Sequence, residues 1–180
     1  MNNKIIEQPL ISEQLLKLYS NISRNVDIVK VLPYVILAQK FYIEPILGSP
    51  LYEDLQKQIS KKEELGVEIT PEYQGLLLKV APVLALYVDY LSIRPLAYSI
   101  TEKGITKQNS ENSSSIDADE LGQYMLDIKN KAEMAAKLLV DYLSKCDLYP
   151  LYRPNCDIKT DTSLIIDRSS IYFPKKCNCK

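Results

Sequence analysis

Apolar positions recur at helical spacing along most of this chain. In residues 11–22, Leu15, Leu16, Tyr19 and Ile22 predict a short amphipathic helix, and Arg24-Asn25 reads as a break after it. Asp27 suits the cap of the next helix, with Pro33 tolerated near its first turns. From there Ile28, Val31, Leu32, Val35, Ala38, Tyr42, Ile43, Ile46 and Leu47 follow a 3.6-residue period. Gly48 is expected to end that helix, because glycine enters the left-handed conformation without a steric penalty. Ser49 is expected to cap a new helix with Pro50 at its first position and Leu51, Tyr52, Leu55 and Ile59 on its apolar face. The stretch VLPYVILAQKFYIEPILGSPLYEDL (31–55) therefore reads as a fixed helical corner with nothing resembling an active site.

Ser60 to Ile69 reads as a charged loop containing Gly66. Thr70-Pro71-Glu72 then combines a cap, a first-position proline and an acid in the first turn, which is a strong helix start. Leu76 to Leu91 is apolar almost all round, the pattern of a buried bundle centre, and the helix is expected to reach about Ile100. Pro82 must kink it or fall where a lost hydrogen bond is tolerated. Gly104 to Ser115 is polar and predicts a long exposed loop. Asp117-Ala118-Asp119-Glu120 resembles a capping box. After it, Leu121, Tyr124, Met125, Ile128, Ala132, Ala135, Leu139, Tyr142 and Leu143 mark one face of a long helix ending near Cys146. Residues 149–180 carry Pro150, Pro154 and Pro174 and no helical period. Ser163–Ile166 and Ser170–Phe173 read as short strands, so this segment suggests an arm that orders against another surface. The expected architecture is all-α: a four- to five-helix bundle over 1–148 with a long exposed loop, then an extended arm over 149–180 able to add short β-strands.

Composition narrows the function. The 22 basic and 23 acidic residues nearly cancel. A free-standing nucleic-acid binder needs a basic footprint, whereas a protein that surrounds DNA without gripping it does not. The aromatic set is 13 Tyr, 2 Phe and no Trp, suited to half-buried or interface positions. The absence of histidine removes His-based triads, His general bases and imidazole zinc sites. The N-terminus has no apolar signal-peptide region, and no uncharged apolar run is long enough to predict a membrane span. Cys146, Cys156, Cys177 and Cys179 cluster late, but the single residue between the last two is a poor metal spacing. Free thiols are expected, with a four-thiolate site as the alternative.

No glycine-rich phosphate loop occurs. Glu44, Glu53, Asp54, Asp89, Glu120 and Asp127 sit on or beside helices and read as solvated faces, since carboxylate metal bundles ordinarily also use histidine. Ser110–Ser115 lacks a base to activate it. Arg94-Pro95 reads as a helix-end cation. The sequence thus predicts a non-enzyme with no catalytic, cofactor or metal residues.

Three blocks resemble the head-tail connector family of tailed phages, in particular the adaptor ring proteins of crAss-like and other Bacteroidetes phages. The first is Asp27–Leu55, with Ala38-Gln39, Tyr42-Ile43 and Leu47-Gly48; the second is Gln74–Tyr98, followed by Thr101-Glu102-Lys103-Gly104-Ile105; the third is Asp119–Leu143. The tail beyond them exceeds the compact family core. The resemblance implies a structural virion protein in the neck between capsid and tail, assembled in the host cytoplasm. It implies a homo-oligomeric ring of about twelve copies that docks on the portal and joins it to further ring or tail proteins. Genomic DNA would pass through the lumen without sequence-specific binding, and no membrane is involved. The expected partner-binding residues are Ile105, Thr106, Lys107 and Gln108 in the loop, and Ile171, Tyr172 and Phe173 in the arm. A helical interaction module that forms no ring is the alternative.

Overall fold

The longest apolar run forms the centre of the molecule. In the computed structural model, which describes residues 7–101, 104–107 and 117–152, a helix α5 spans Pro71–Ala97. Around it pack α1 (Glu13–Tyr19), α2 (Ile28–Ala38) and α6 (Ala118–Lys145). Leu76, Val80, Ala81, Val83, Leu84, Ala85, Tyr87 and Val88 of α5 are all buried in one continuous core. By length and mean hydropathy (1.7) Pro71–Leu96 would suffice to cross a membrane. In this fold 56% of that stretch is buried, packed against neighbouring helices. The architecture is the expected all-α bundle, with one small addition described below.

The corner is more elaborate than a helix ending at glycine. Asp27 caps α2, its Oδ1 accepting from the Val29 N–H at 3.0 Å. After Ala38 the backbone widens into a π-helical turn, Gln39–Ile43, before resuming as α3 (Glu44–Leu47). The cause is Pro45, which has no N–H and whose ring would clash with the carbonyl of Phe41 in a regular helix. Gly48 follows with φ 78° and ψ 145°, so the expected positive φ is present but with an extended ψ. Gly48 itself occupies the cap position of α4 (Ser49–Leu65). Ser49, expected as the cap, is instead the first helical residue and donates from Oγ to Glu44 Oε1 at 3.4 Å.

Two other expectations are corrected. The charged segment from Ser60 is helical to Leu65, because its Lys and Glu residues favour helix; Gly66, at φ 67° and ψ 17°, is the left-handed stop. Helix α5 ends at Ala97 rather than Ile100, and the start of the expected loop is a strand. There β1 (Tyr98–Thr101) pairs antiparallel with β2 (Gly104–Lys107), in the register Tyr98↔Lys107 to Thr101↔Gly104. Pro95 withholds the N–H that Leu91 would need, and Tyr98, Ile100, Thr101, Ile105 and Thr106 favour extended backbone. The rest of the expected loop, 108–115, lies outside the described residues.

Helix α6 runs from Ala118 to Lys145, as the pattern requires, and buries Leu121, Ile128, Ala132, Ala136, Leu139 and Leu143. Beyond it, Tyr149 is buried. Its hydroxyl donates to the Glu72 carbonyl at 3.0 Å and lies 3.4 Å from the Tyr142 hydroxyl, while its ring meets Tyr73 edge-on. Among the described residues the packed unit therefore extends to Tyr152. The predicted strands 163–166 and 170–173 lie outside them.

Candidate functional site

Four buried polar residues stand out in an otherwise apolar core: Gln39, Gln56, Asp89 and Ser92. They fall in two groups. The π turn places Gln39 and α4 places Gln56 so that both side-chain amides face the entering chain. Gln56 Oε1 accepts from the Gln8 N–H at 2.9 Å and its Nε2 donates to the Gln8 carbonyl at 2.9 Å. Gln39 Oε1 accepts from the Leu10 N–H at 2.7 Å and its Nε2 donates to the Gln8 carbonyl at 3.0 Å. Two amides thus read an extended backbone much as a neighbouring strand would. Leu10 and Ile11 anchor the same segment in the core. The Tyr52 hydroxyl joins both amides and donates to the Glu7 carboxylate. Partial burial raises the Glu7 pKa, an effect opposed by Lys40 and reinforced by Glu44. An open hollow of about 380 Å³ beside this clamp is lined by Lys40, Glu44, Glu53 and Lys57. In it Lys40 pairs with Glu44 at 2.5 Å.

The second group is on α5. Asp89, expected on a solvated face, is 2% exposed. Its Oδ2 accepts from the Asn21 backbone N–H at 2.7 Å and from Asn21 Nδ2 at 3.2 Å, tying the α1–α2 connection to the central helix. Burial pushes its pKa up to about 6 against the lowering effect of those two bonds. The sequence did hold a signal: Asp89 is the only charged residue between Lys79 and Arg94. The other acids behave more as expected. Glu53, Glu120 and Asp127 are exposed, while Asp54 accepts from the Tyr73 hydroxyl at 2.5 Å and joins α4 to α5.

Tyrosine serves the core as much as the surface. Tyr42 of the π turn stacks on Tyr87 with ring centroids 3.9 Å apart and planes 3° from parallel. Burial raises the pKa of both.

Outward, most helices carry an exposed apolar side chain, such as Leu18, Leu65 and Leu78, but two segments carry several. On α2 and the π turn these are Val29, Leu32, Leu37 and Phe41; on α6 they are Leu126, Met134 and Leu138. Singly exposed apolar residues are ordinary, but rows of this kind mark contact surfaces. Of the sequence-predicted partner residues, Ile105, Thr106 and Lys107 fall together on β2; Gln108, Ile171, Tyr172 and Phe173 lie outside the described residues. Each strand of the hairpin has one strand neighbour, so its other edge is open among the described residues. Sequence reasoning missed these residues because it gave six of the seven no role and placed the seventh, Leu32, on the buried face of its helix. Among the described residues no group of three or more His, Cys, Asp or Glu residues is arranged to hold a metal ion. Cys146 is a free thiol, and the other three cysteines lie outside the described residues.

A family profile matches residues 43–162, two thirds of the chain. The chain belongs to the Family of unknown function (DUF6712). The matched span opens in the π turn and takes in α3 to α6, the hairpin and Tyr149, so the corner at Gly48, Asp89 and the outer row of α6 are family territory. The Gln8–Ile11 segment and all of α2 precede it. Comparison with curated proteins and with solved structures gives no match.

Proposed function

We propose that the protein is a structural subunit of a phage virion, a head-to-tail adaptor. Copies of it form a closed ring of about twelve that docks on the portal, joins it to further tail or ring proteins and surrounds the DNA channel. The observation that carries this reading is the pair of outward apolar rows on different helices of one bundle. A closed ring is heterologous: each subunit meets one neighbour with one patch and the other neighbour with a different patch. The row Val29–Leu32–Leu37–Phe41 and the row Leu126–Met134–Leu138 supply two such patches. The hairpin adds open strand edges, the kind of surface to which an extended segment of a neighbour adds a strand. Ile105, Thr106 and Lys107 are the proposed contacts there, with Gln108 beyond them and Ile171, Tyr172 and Phe173 as the anchors of the arm. A net charge of −1 suits a conduit through which DNA must slide without being held.

The test is a pair of charge substitutions. Phe41→Glu and Met134→Glu alter exposed positions, so each protein should keep its helical circular dichroism and melting temperature. Each alone should lower the mass measured by light scattering from that of a ring to that of a protomer. Mixing the two should yield at most dimers, because one intact patch of each kind remains. Unchanged ring mass in both variants would remove these faces from the proposal.

A further inference from the structure

Among the described residues Asp89 is buried without an opposite charge. Its two hydrogen bonds come from a neutral backbone amide and a neutral side-chain amide, and both converge on Oδ2. A carboxylate removed from water is costly unless a cation compensates it. None among the described residues does so: Tyr124 is the only other titratable side chain of those that line the space around it. That space is a hollow of about 200 Å³, several waters' worth at about 30 Å³ each in the liquid. Its walls are Ile22, Val26, Ile93 and Leu96, with Tyr124 of α6 at the rim, 40% exposed.

We propose that this hollow is a binding site for the cationic end of an arginine or lysine side chain offered by an adjoining protein chain. The carboxylate supplies a charge-assisted hydrogen bond, the strong kind. The apolar walls suit the methylene stem of such a side chain, which buries its carbons while its head seeks charge. The exposed ring of Tyr124 offers a guanidinium a stacking surface. A divalent metal is a poorer match, since calcium or magnesium takes six or more oxygen ligands and the hollow holds one carboxylate. An anion is repelled by Asp89. Which chain supplies the cation rests on the adaptor reading; the site itself does not.

The test uses agmatine, which carries a guanidinium and an ammonium on an alkyl stem, titrated into the full-length protein and followed by amide NMR. The expected result is saturable shifts at Asn21, Ile22, Ser92, Ile93 and Tyr124. Asp89→Asn, whose amide oxygen still accepts from Asn21, should keep the remaining spectrum and lose those shifts. With a carboxyl titrating near pH 6, affinity in the native protein should be about tenfold greater at pH 7 than at pH 5. That pH comparison needs no variant, so it decides the matter even if Asp89→Asn fails to fold. Shifts that persist in Asp89→Asn, that avoid the hollow, or that ignore pH would overturn the proposal. Agmatine binding in a protein that forms no ring would support the site while removing the adaptor as the source of its cation.

Discussion

Replacing Gln39 by Leu tests how the entering chain is held. Gln39 is fully buried and makes two close bonds to the N-terminal segment. Leucine has nearly the same volume, so no large cavity opens, and the cost falls on the backbone groups left behind. The Leu10 N–H loses its acceptor in a buried site, which costs about 1–3 kcal/mol. The Gln8 carbonyl loses one of two donors but keeps Gln56 Nε2 at 2.9 Å, so its share is small, about 0.5 kcal/mol. The sum is about 1.5–3.5 kcal/mol, a large part of the stability of an ordinary domain. Urea unfolding followed by circular dichroism measures it, and hydrogen exchange at the Leu10 amide shows where it arises. Gln39→Glu adds a sign test. A carboxylate there accepts from Leu10 but cannot donate to Gln8, whereas the protonated acid can. Burial would raise its folded pKa above the unfolded value, so the stability of this variant should rise as the pH falls through that folded value. A loss below about 0.5 kcal/mol in Gln39→Leu, with Leu10 still protected, would refute the clamp as a stabilising device.

Three further predictions follow from the packing and burial. Leu84→Ala, in the middle of α5 and fully buried, should cost about 2–5 kcal/mol in urea unfolding. Truncation after Leu148 removes the buried Tyr149 and its bond to the Glu72 carbonyl, and should lower the melting temperature by a few degrees, about 2–4 °C for each kcal/mol lost in a domain of this size. For Asp89 the folded pKa lies above the unfolded one, so the unfolded state binds fewer protons between about pH 4 and 6 and stability falls as the pH rises through that window. Asp89→Asn should therefore be more stable than the native protein at pH 7, by at most about 3 kcal/mol, with the gain shrinking toward pH 4 in urea titrations at each pH.

The bundle was legible because its signals are strong and local. Asp27 capped a helix where its side chain could, Pro71 opened one, and the apolar run after Leu76 had nowhere to go but the centre. Glycine stops were legible in kind, but Ser60 to Leu65 shows that charge does not mean loop when the residues are good helix formers. The π turn was hidden because its cause, Pro45, lies after it and the apolar period survives the extra residue. The burial of Gln39 and Gln56 was not legible. Their role depends on a segment about thirty to fifty positions away returning beside them, which no local pattern encodes. Tyr149 was assigned to the arm for the same reason, as its partners sit at the start of α5. The exposed apolar residues of α2 and α6 were overlooked because a search for one helical apolar face passes over apolar residues that fall off it.

Electron microscopy of the purified full-length protein, alone and mixed with portal-bearing heads, tests the adaptor reading most directly. The account predicts closed rings of about twelve subunits with a central channel, and a matching ring of density beneath the portal. A protein that stays monomeric at every concentration, and leaves the portal vertex bare, would contradict it.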